Sequence, residues 1–463
     1  MRLSPRLFRA LGWCALLIGA SAAPFIAIAG LEGALDAARG FFVTAVLGLF
    51  MGGAVLAGTA RLTQPAGAAA ALRLSLYAWA LTPLLAAPPL AAAAGGAVEG
   101  VFESYAALTT TGAVLIDPEV APRSIVLWRC YLAWLGGLAS LVLAATVFAA
   151  LDRRGVGLRR TSLLTVERSD LFTNFGRGFR RLGAVYGLVT VLGFVALMAG
   201  GAGAFDALCL ALGGVSTSGL APQSGPLTAW LPGPAILALA LLCLAGAWNF
   251  AVMYEYLSRY RIQRGTGELR AMAGTALACG LAALVIAGPA SAPAGLLDGL
   301  FAITTAGYQT TAVALPAAAI FFLALVGGST ISTSGGVKMP RVLLLMRRAG
   351  GELSVLSHPS AAVRTRFSGR PVSDSALAGV WVYALAFPLA LGVGAAGIAL
   401  GGAEFDAAWR AAAASLTNTG PPAASDFVAL SQASLIACTV LMVAGRLEVM
   451  AAAAALFVIF ARD

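Results

Sequence analysis

The chain has 463 residues, 60% of them hydrophobic and only 11% charged, with a mean hydropathy of +0.88. No soluble globular domain of this size has that composition, so this is a polytopic membrane protein and its length gives no count of soluble domains. The formal charge of +10 would suggest nucleic acid as partner of a soluble protein; here it reads instead as arginines crowding the cytoplasmic loops of a protein whose surroundings are the lipid bilayer.

Long apolar runs predict helices near 10–31, 40–60, 74–95, 130–151, 182–202, 235–254, 271–291, 312–347, 376–402 and 427–460, the two longest bent or broken. Each crossing needs roughly 20 residues. The first, Ala10–Leu31, is too long for a signal h-region and lacks a cleavage end, so it reads as a retained helix. Four further apolar stretches, 99–108, 204–215, 294–303 and 405–416, are about half a crossing long and read as re-entrant half-helices. Each leads into a run of small residues closing on a glycine: TTTGAV at Thr109–Val114, STSGLA at Ser216–Ala221, TTAGYQ at Thr304–Gln309 and TNTGPP at Thr417–Pro422. The loop glycines, Gly112, Gly219, Gly307 and Gly420, are 107, 88 and 113 residues apart.

The basic residues set the orientation. Arg153, Arg154, Arg159, Arg160, Arg168, Arg177, Arg180 and Arg181 crowd 152–181; Arg259, Arg261, Arg264 and Arg270 follow; Lys338, Arg341, Arg347, Arg348, Arg364, Arg366 and Arg370 occupy 338–370. The segment 220–230 has none. The basic loops and both termini are therefore expected in the cytoplasm, with the glycine loops opening outward. The unit is helix, half-helix, glycine loop, helix, repeated four times in one direction after a two-helix preface: preface 1–65, then repeats at 66–160, 161–265, 266–350 and 351–463. The expected fold is an all-α polytopic membrane protein with parallel helix–pore loop–helix repeats around a pseudo-four-fold pore.

A dehydrated cation needs oxygen ligands, and main-chain carbonyls supply them without burying fixed charge. Four half-helix C-termini aimed at one point favour a cation as well. The candidate ligands are the carbonyls of Thr110, Thr111 and Gly112; Thr217, Ser218 and Gly219; Thr305, Ala306 and Gly307; and Asn418, Thr419 and Gly420. One such loop alone would read as an ordinary turn; four, each after a half-length helix, do not. None contains a carboxylate, which argues against a calcium channel. The cysteines Cys14, Cys130, Cys209, Cys243, Cys279 and Cys438 lack CxxC spacing and read as core residues, and a single histidine, His358, excludes multi-histidine metal sites. No paired acids or His–Glu constellation supports a membrane-embedded enzyme.

Within these loops and their surroundings the chain resembles the TrkH/TrkG branch of the Trk/Ktr/HKT superfamily of potassium transporters. Besides the loops, the likeness rests on WRCYLAWLGGLASLVLA at Trp128–Ala144, GGSTISTSGGVKMPRVLLL at Gly327–Leu345, HPSAAVRTRFSGRPVSD at His358–Asp374, GRLEV at Gly445–Val449 and the two-helix preface. The resemblance implies a K⁺-translocating subunit in the bacterial inner membrane, with K⁺ as transported ion and no cofactor in this chain. It implies a homodimer with one pore per protomer, and a cytosolic TrkA-type RCK nucleotide-binding subunit that controls a gate. It also implies that a loop over Gly327–Lys338, with Gly327, Gly328, Ser329, Gly335 and Gly336, lies across the pore below a filter less strict than that of a potassium channel. A merely kinked helix is the alternative for this span. The loop sequence STISTSGG and the pair Pro421–Pro422 depart from the family pattern.

By the same resemblance Arg446 lies near the cavity below the filter and bonds loop carbonyls, raising the barrier to cations; pairing with Glu448 is the other reading. Lys338, the only lysine, either anchors the loop end or snorkels to the interface. A Na⁺-coupled or Na⁺-permeable transporter of the same fold is the competing function, which a serine in place of Gly112 would favour. Asn249 and Glu255, near the end of the sixth span, are given no role.

Overall fold

Two glycine-lined helices open the structure. In this computed structural model, which describes residues 5–60, 68–151, 171–259, 267–311, 315–358, 366–367, 370–420, 427–449 and 452, helix α1 (Pro5–Leu31) packs along α2 (Leu35–Thr59). Lipid tails are as apolar as leucine, so the hydrophobic effect does little to join two such helices; close van der Waals approach does. Gly12 and Gly19 of α1 face Gly52 and Gly48 of α2, and a Cβ added to Gly48 would stand 2.7 Å from both the Ala15 carbonyl oxygen and the Gly19 Cα.

The first repeat holds α3 (Ala68–Ala86), α4 (Pro88–Ala94), the half-helix α5 (Ala97–Leu108) and α6 (Arg123–Leu151). The second holds α7 (Leu171–Ala199), the half-helix α8 (Ala204–Val215), α9 (Gly233–Ala247) and α10 (Phe250–Arg259). The third holds α11 (Glu268–Ala287), the half-helix α12 (Ala292–Ile303), α13 (Ala317–Val326) and α14 (Met339–Ser357). The fourth holds α15 (Asp374–Leu400), the half-helix α16 (Phe405–Thr417) and α17 (Gln432–Arg446). Among the described residues the only strands are two of two residues each, Arg366–Phe367 paired with Arg370–Pro371; the fold is otherwise helical.

The half-helices end within two residues of the expected ranges. Six helices are long and apolar enough to cross a membrane, and two bent pairs bring the number to eight among the described residues. The other two expected spans are the longest, and both are broken. The run 312–347 is split into α13 and α14 by Gly327–Lys338. The run 427–460 stops at Arg446, and Glu448 then takes a left-handed backbone with φ 58°.

Two breaks were not expected. The third span bends by 54° between α3 and α4, where Pro88 and Pro89 remove backbone donors. The sixth span, read as one crossing over 235–254, bends by 94° between α9 and α10. That break is satisfied from both sides. The Asn249 Oδ1 accepts the Ala251 N–H at 3.0 Å and so caps α10. The Phe250 N–H donates to the Ile331 carbonyl at 2.9 Å, and the Ala247 carbonyl accepts the Ser329 N–H at 2.9 Å. The third repeat's irregular stretch thus supplies the partners that the second repeat's broken helix lacks.

Large exposed apolar side chains such as Phe50, Val285 and Leu389 lie on α2, α11 and α15, facing what would be lipid. All six cysteines are free thiols, four of them buried. Of the orientation-setting cations, Arg153, Arg154, Arg159, Arg160, Arg168, Arg261, Arg264 and Arg364 lie outside the described residues, as do Pro421 and Pro422.

Gly48→Leu is expected to push α2 off α1 and cost about 1–3 kcal/mol, the scale of overpacking. The check is the melting temperature of the detergent-purified protein; an unchanged value would contradict the glycine-mediated contact.

Candidate ion pathway

Each half-helix ends on a hydroxyl residue that bonds the turn behind it. Thr109, Ser216, Thr304 and Thr417 donate to the carbonyls of Tyr105, Leu212, Leu300 and Ala413 at 2.6, 2.8, 2.8 and 2.7 Å. The next residue leaves the helix with a left-handed backbone in all four repeats: φ is 57° at Thr110, 52° at Thr217, 60° at Thr305 and 48° at Asn418. For threonine this conformation is strained, on the order of 1–3 kcal/mol each, and persists only where the surroundings impose it. The third residue folds its N–H back to the half-helix: Thr111 to Ala106 at 2.8 Å, Ser218 to Gly213 at 2.9 Å, Ala306 to Phe301 at 3.0 Å and Thr419 to Ala414 at 3.1 Å. Gly112, Gly219 and Gly307 then turn left-handed again, with φ 67°, 73° and 72°, whereas Gly420 does not. Alternating handedness gathers successive peptide groups on one side.

The four loops meet. A Cβ on Gly112 would collide with the Ser218 carbonyl, and one on Gly219 with the Ala306 carbonyl. One on Gly307 would lie 2.6 Å from the Gly420 carbonyl oxygen, and one on Gly420 lies 3.3 Å from that of Ser218. The circuit closes between the fourth and first loops, where Asn418 Nδ2 donates to Thr111 Oγ1 at 3.0 Å. The order around the centre is therefore one, two, three, four. Every residue from Thr109 to Thr111, Ser216 to Ser218, Thr304 to Ala306 and Thr417 to Thr419 is buried. The negative ends of four half-helix dipoles point at this centre, and no candidate ligand there carries a charge. Among the described residues no group of His, Cys, Asp and Glu could hold a resident metal ion.

The helix that descends from each loop touches the half-helix end through a glycine in three repeats: Gly136 at the Leu108 carbonyl, Gly246 at that of Val215 and Gly445 at that of Leu416. In the third repeat Gly327–Lys338 takes that place. Thr333 Oγ1 donates to the Val215 and Gly246 carbonyls, both at 2.9 Å, and lies 3.3 Å from Thr217 Oγ1. The Gly335 N–H donates to Thr305 Oγ1 at 2.8 Å, and the Gly336 N–H to the Thr417 carbonyl at 3.0 Å. The Gly328 N–H reaches Ser334 Oγ at 3.2 Å, and Ser329 Oγ donates to the buried Glu268 carboxylate. The stretch is a loop rather than a kinked helix, and it lies against the ends of three half-helices.

Lys338 is buried, with Nζ donating to the Ser334 carbonyl, so it anchors the loop end and does not snorkel. Arg446 is also buried. It does not pair with Glu448, which is held by Arg341. The expected bond from Arg446 to loop carbonyls is not what the structure places: Nε donates to Ser140 Oγ on α6 at 2.5 Å, and the buried Nη2 has no hydrogen-bond partner among the described residues. Residue type and position alone did not reveal a hydroxyl on a helix of another repeat.

Four buried charges were missed by sequence reasoning: Glu268, which accepts from Ser329, and three others. Glu103 in α5, Arg129 in α6 and Asp298 in α12 bond the segments that leave the first and third loops. The available signal for Glu103 and Asp298 was an acidic residue nine positions ahead of the glycine in both half-helices.

A family model described as "TrkH: Cation transport protein" matches residues 43–272. The chain is 29% identical to "Trk system potassium uptake protein TrkH" of Halomonas elongata over 80% of its own length and 81% of the relative's. It is 27% identical to the protein of the same name from Escherichia coli K12, over 76% and 77% of the two lengths. In fold it is similar to the crystal structure of the potassium transporter TrkH from Vibrio parahaemolyticus, with a TM-score of 0.83, 24% identity and 98% of each chain covered.

Asn418 Nδ2 also donates to the Met442 carbonyl at 2.9 Å, tying two loops to α17. Asn418→Leu is expected to lower stability by about 1–3 kcal/mol through partners left unpaired. The melting temperature in detergent checks this, and a wild-type value would remove the amide from the contact.

Proposed function

We propose that the chain is a member of the TrkH family of cation transport proteins, a family of transporters, which the match over residues 43–272 and the likeness to TrkH proteins support, and that it is the potassium-translocating subunit of a Trk-type K⁺ uptake system. The observation that carries this reading is the meeting of four loops with one repeated backbone conformation at the ends of four half-helices. The carbonyls of Thr110, Thr111 and Gly112, of Thr217, Ser218 and Gly219, of Thr305, Ala306 and Gly307, and of Asn418, Thr419 and Gly420 replace the water around K⁺. Because the ligands are peptide dipoles, the ion enters without meeting a fixed charge that would hold it. The names of the relatives, Trk system potassium uptake proteins, support K⁺ as the cargo.

The gate is the loop with Gly327, Gly328, Ser329, Gly335 and Gly336, together with Lys338 and Arg446. Its bonds to Thr305 and to the Thr417 carbonyl support a position directly beneath the filter. Arg446 adds positive charge next to Gly445, which touches the fourth half-helix end, and so raises the barrier to a cation. The preface 1–65 and the repeats 66–160, 161–265, 266–350 and 351–463 are the organising units. The protein works as a homodimer in the bacterial inner membrane, both termini cytoplasmic, under a TrkA-type RCK partner. A Na⁺-permeable relative of the same fold is disfavoured by the glycine at 112.

The deciding experiment is growth of a K⁺-uptake-deficient bacterium at low external K⁺, with and without a TrkA-type partner. Rescue is expected; none, with the protein present in the membrane, overturns the reading. Gly112→Ser should lower the preference for K⁺ over Na⁺ by roughly tenfold, about 1.4 kcal/mol of lost discrimination, measured as relative uptake. An unchanged preference would take that loop out of the filter. Arg446→Ala should raise K⁺ flux severalfold by removing a buried cation beside the pathway, and a fall in flux would reject its barrier role.

A further inference from the structure

The half-helices of repeats one and three each carry one buried carboxylate at the same register. Glu103 and Asp298 stand nine residues ahead of Gly112 and Gly307, and they are only 1% and 3% exposed. Each accepts the backbone N–H three residues past its glycine: Leu115 to Glu103 Oε1 at 2.5 Å, and Thr310 to Asp298 Oδ1 at 2.7 Å. Glu103 Oε1 also accepts the Ile116 N–H at 2.8 Å. Arg129 completes the first clamp, with Nε 3.3 Å from Glu103 Oε2 and Nη1 donating to the Ile116 carbonyl at 2.9 Å. Repeats two and four carry Leu210 and Ala411 at the same register. In repeat two the Tyr308 hydroxyl donates to the Leu220 carbonyl at 3.0 Å, and the carboxylate that reaches the outgoing backbone, Glu119 accepting the Ser224 N–H at 3.1 Å, lies at the exposed surface and not at this buried register.

Burying a carboxylate costs several kcal/mol unless it is paired and hydrogen-bonded, and an apolar residue can fill the same register, as Leu210 does. What the carboxylate gains is a charge-assisted bond about twice as strong as a neutral one, applied to the main chain just past the loop. The loops run one, two, three, four around the centre, so the two clamped strands face each other across it. We infer that Glu103, with Arg129, and Asp298 are positioning residues that fix this facing pair and thereby set the ion preference. The four loops share a left-handed turn at their second residue, but the buried carboxylate stands at this register in only two of them. The inference rests on the reading of the loops as a filter.

The test compares K⁺ and Na⁺ uptake by full-length protein in liposomes. Asp298→Ala is expected to lower the K⁺ over Na⁺ preference by roughly tenfold, the scale of one charge-assisted bond. Asp298→Asn keeps the acceptor and should retain most of the preference. In the first repeat, the double variant Glu103→Gln with Arg129→Met removes the charges but keeps the acceptor and should retain the preference. Glu103→Leu with Arg129→Met should lose it, and Leu210→Met at the unclamped register should leave it unchanged. Hydrogen–deuterium exchange around Leu115 and Thr310 gives a second readout that does not need transport: protection should be high in the wild type and lost in the acceptor-less variants. Equal preferences in the Ala and Asn variants, or freely exchanging amides in the wild type, overturn the inference. A wild type that carries no K⁺ at all would instead defeat the filter reading, while protected Leu115 and Thr310 amides would leave the clamps standing.

Discussion

Peptide groups inside hydrocarbon have no water to turn to, so every helix that stops at membrane depth must find partners within the protein. This chain stops helices there repeatedly: at the end of each half-helix, between α9 and α10, and on both sides of Gly327–Lys338. The solutions interlock. The break after Ala247 is satisfied by Ser329 and Ile331, while Thr333 and Gly336 bond carbonyls at the ends of the second and fourth half-helices. A single polar interior thus serves several interruptions, and each interruption holds the others in place.

That dependence explains what could be read in advance. The half-helices were legible because they are too short to cross and end on a repeated hydroxyl–glycine pattern; Thr109, Ser216, Thr304 and Thr417 are visible as residue types. The break over Gly327–Lys338 was legible because glycine and serine cannot sustain a helix in lipid. The 94° bend at Trp248–Asn249 was not. Nothing local forbids a helix over 235–254; the bend exists because a loop from another repeat supplies its missing partners. Arg446 stands out in the sequence as a charge within an apolar span, but its partner Ser140 sits 306 positions away, and no spacing rule reaches that far. Glu103, Arg129 and Asp298 were overlooked for the same reason, since their partners are backbone groups whose positions only the fold defines.

The repeats share a scaffold but not an identical job. In repeats one, two and four a glycine lets the descending helix rest on the carbonyl that ends the half-helix: Gly136 on Leu108, Gly246 on Val215, Gly445 on Leu416. A bulkier residue would separate the two elements, because a Cβ at Gly246 would lie 2.5 Å from the Val215 oxygen. Repeat three gives up this direct support. Its descending element is the loop, and the half-helix end is held by a hydroxyl, Thr305 Oγ1, accepting the Gly335 N–H. The most replaceable contact in the ring therefore sits in one repeat out of four.

The nature of those contacts decides how firmly the loop is held. Most of its bonds to neighbouring elements use hydroxyls, amides and carbonyls; the charged exceptions among the described residues are Ser329 on Glu268 and Arg341 on the Val337 carbonyl. Water can take over each neutral partner. A neutral hydrogen bond exchanged for water is worth about 0.5–1.5 kcal/mol net, whereas tearing an apolar side chain of leucine size from a packed core costs about 2–5 kcal/mol. Exchange is cheap only if water is present, and the Ser329, Thr333 and Ser334 side chains are among the most deeply buried polar groups of the molecule. The loop is therefore firmly held in these dry surroundings, although each of its neutral bonds is weak by itself.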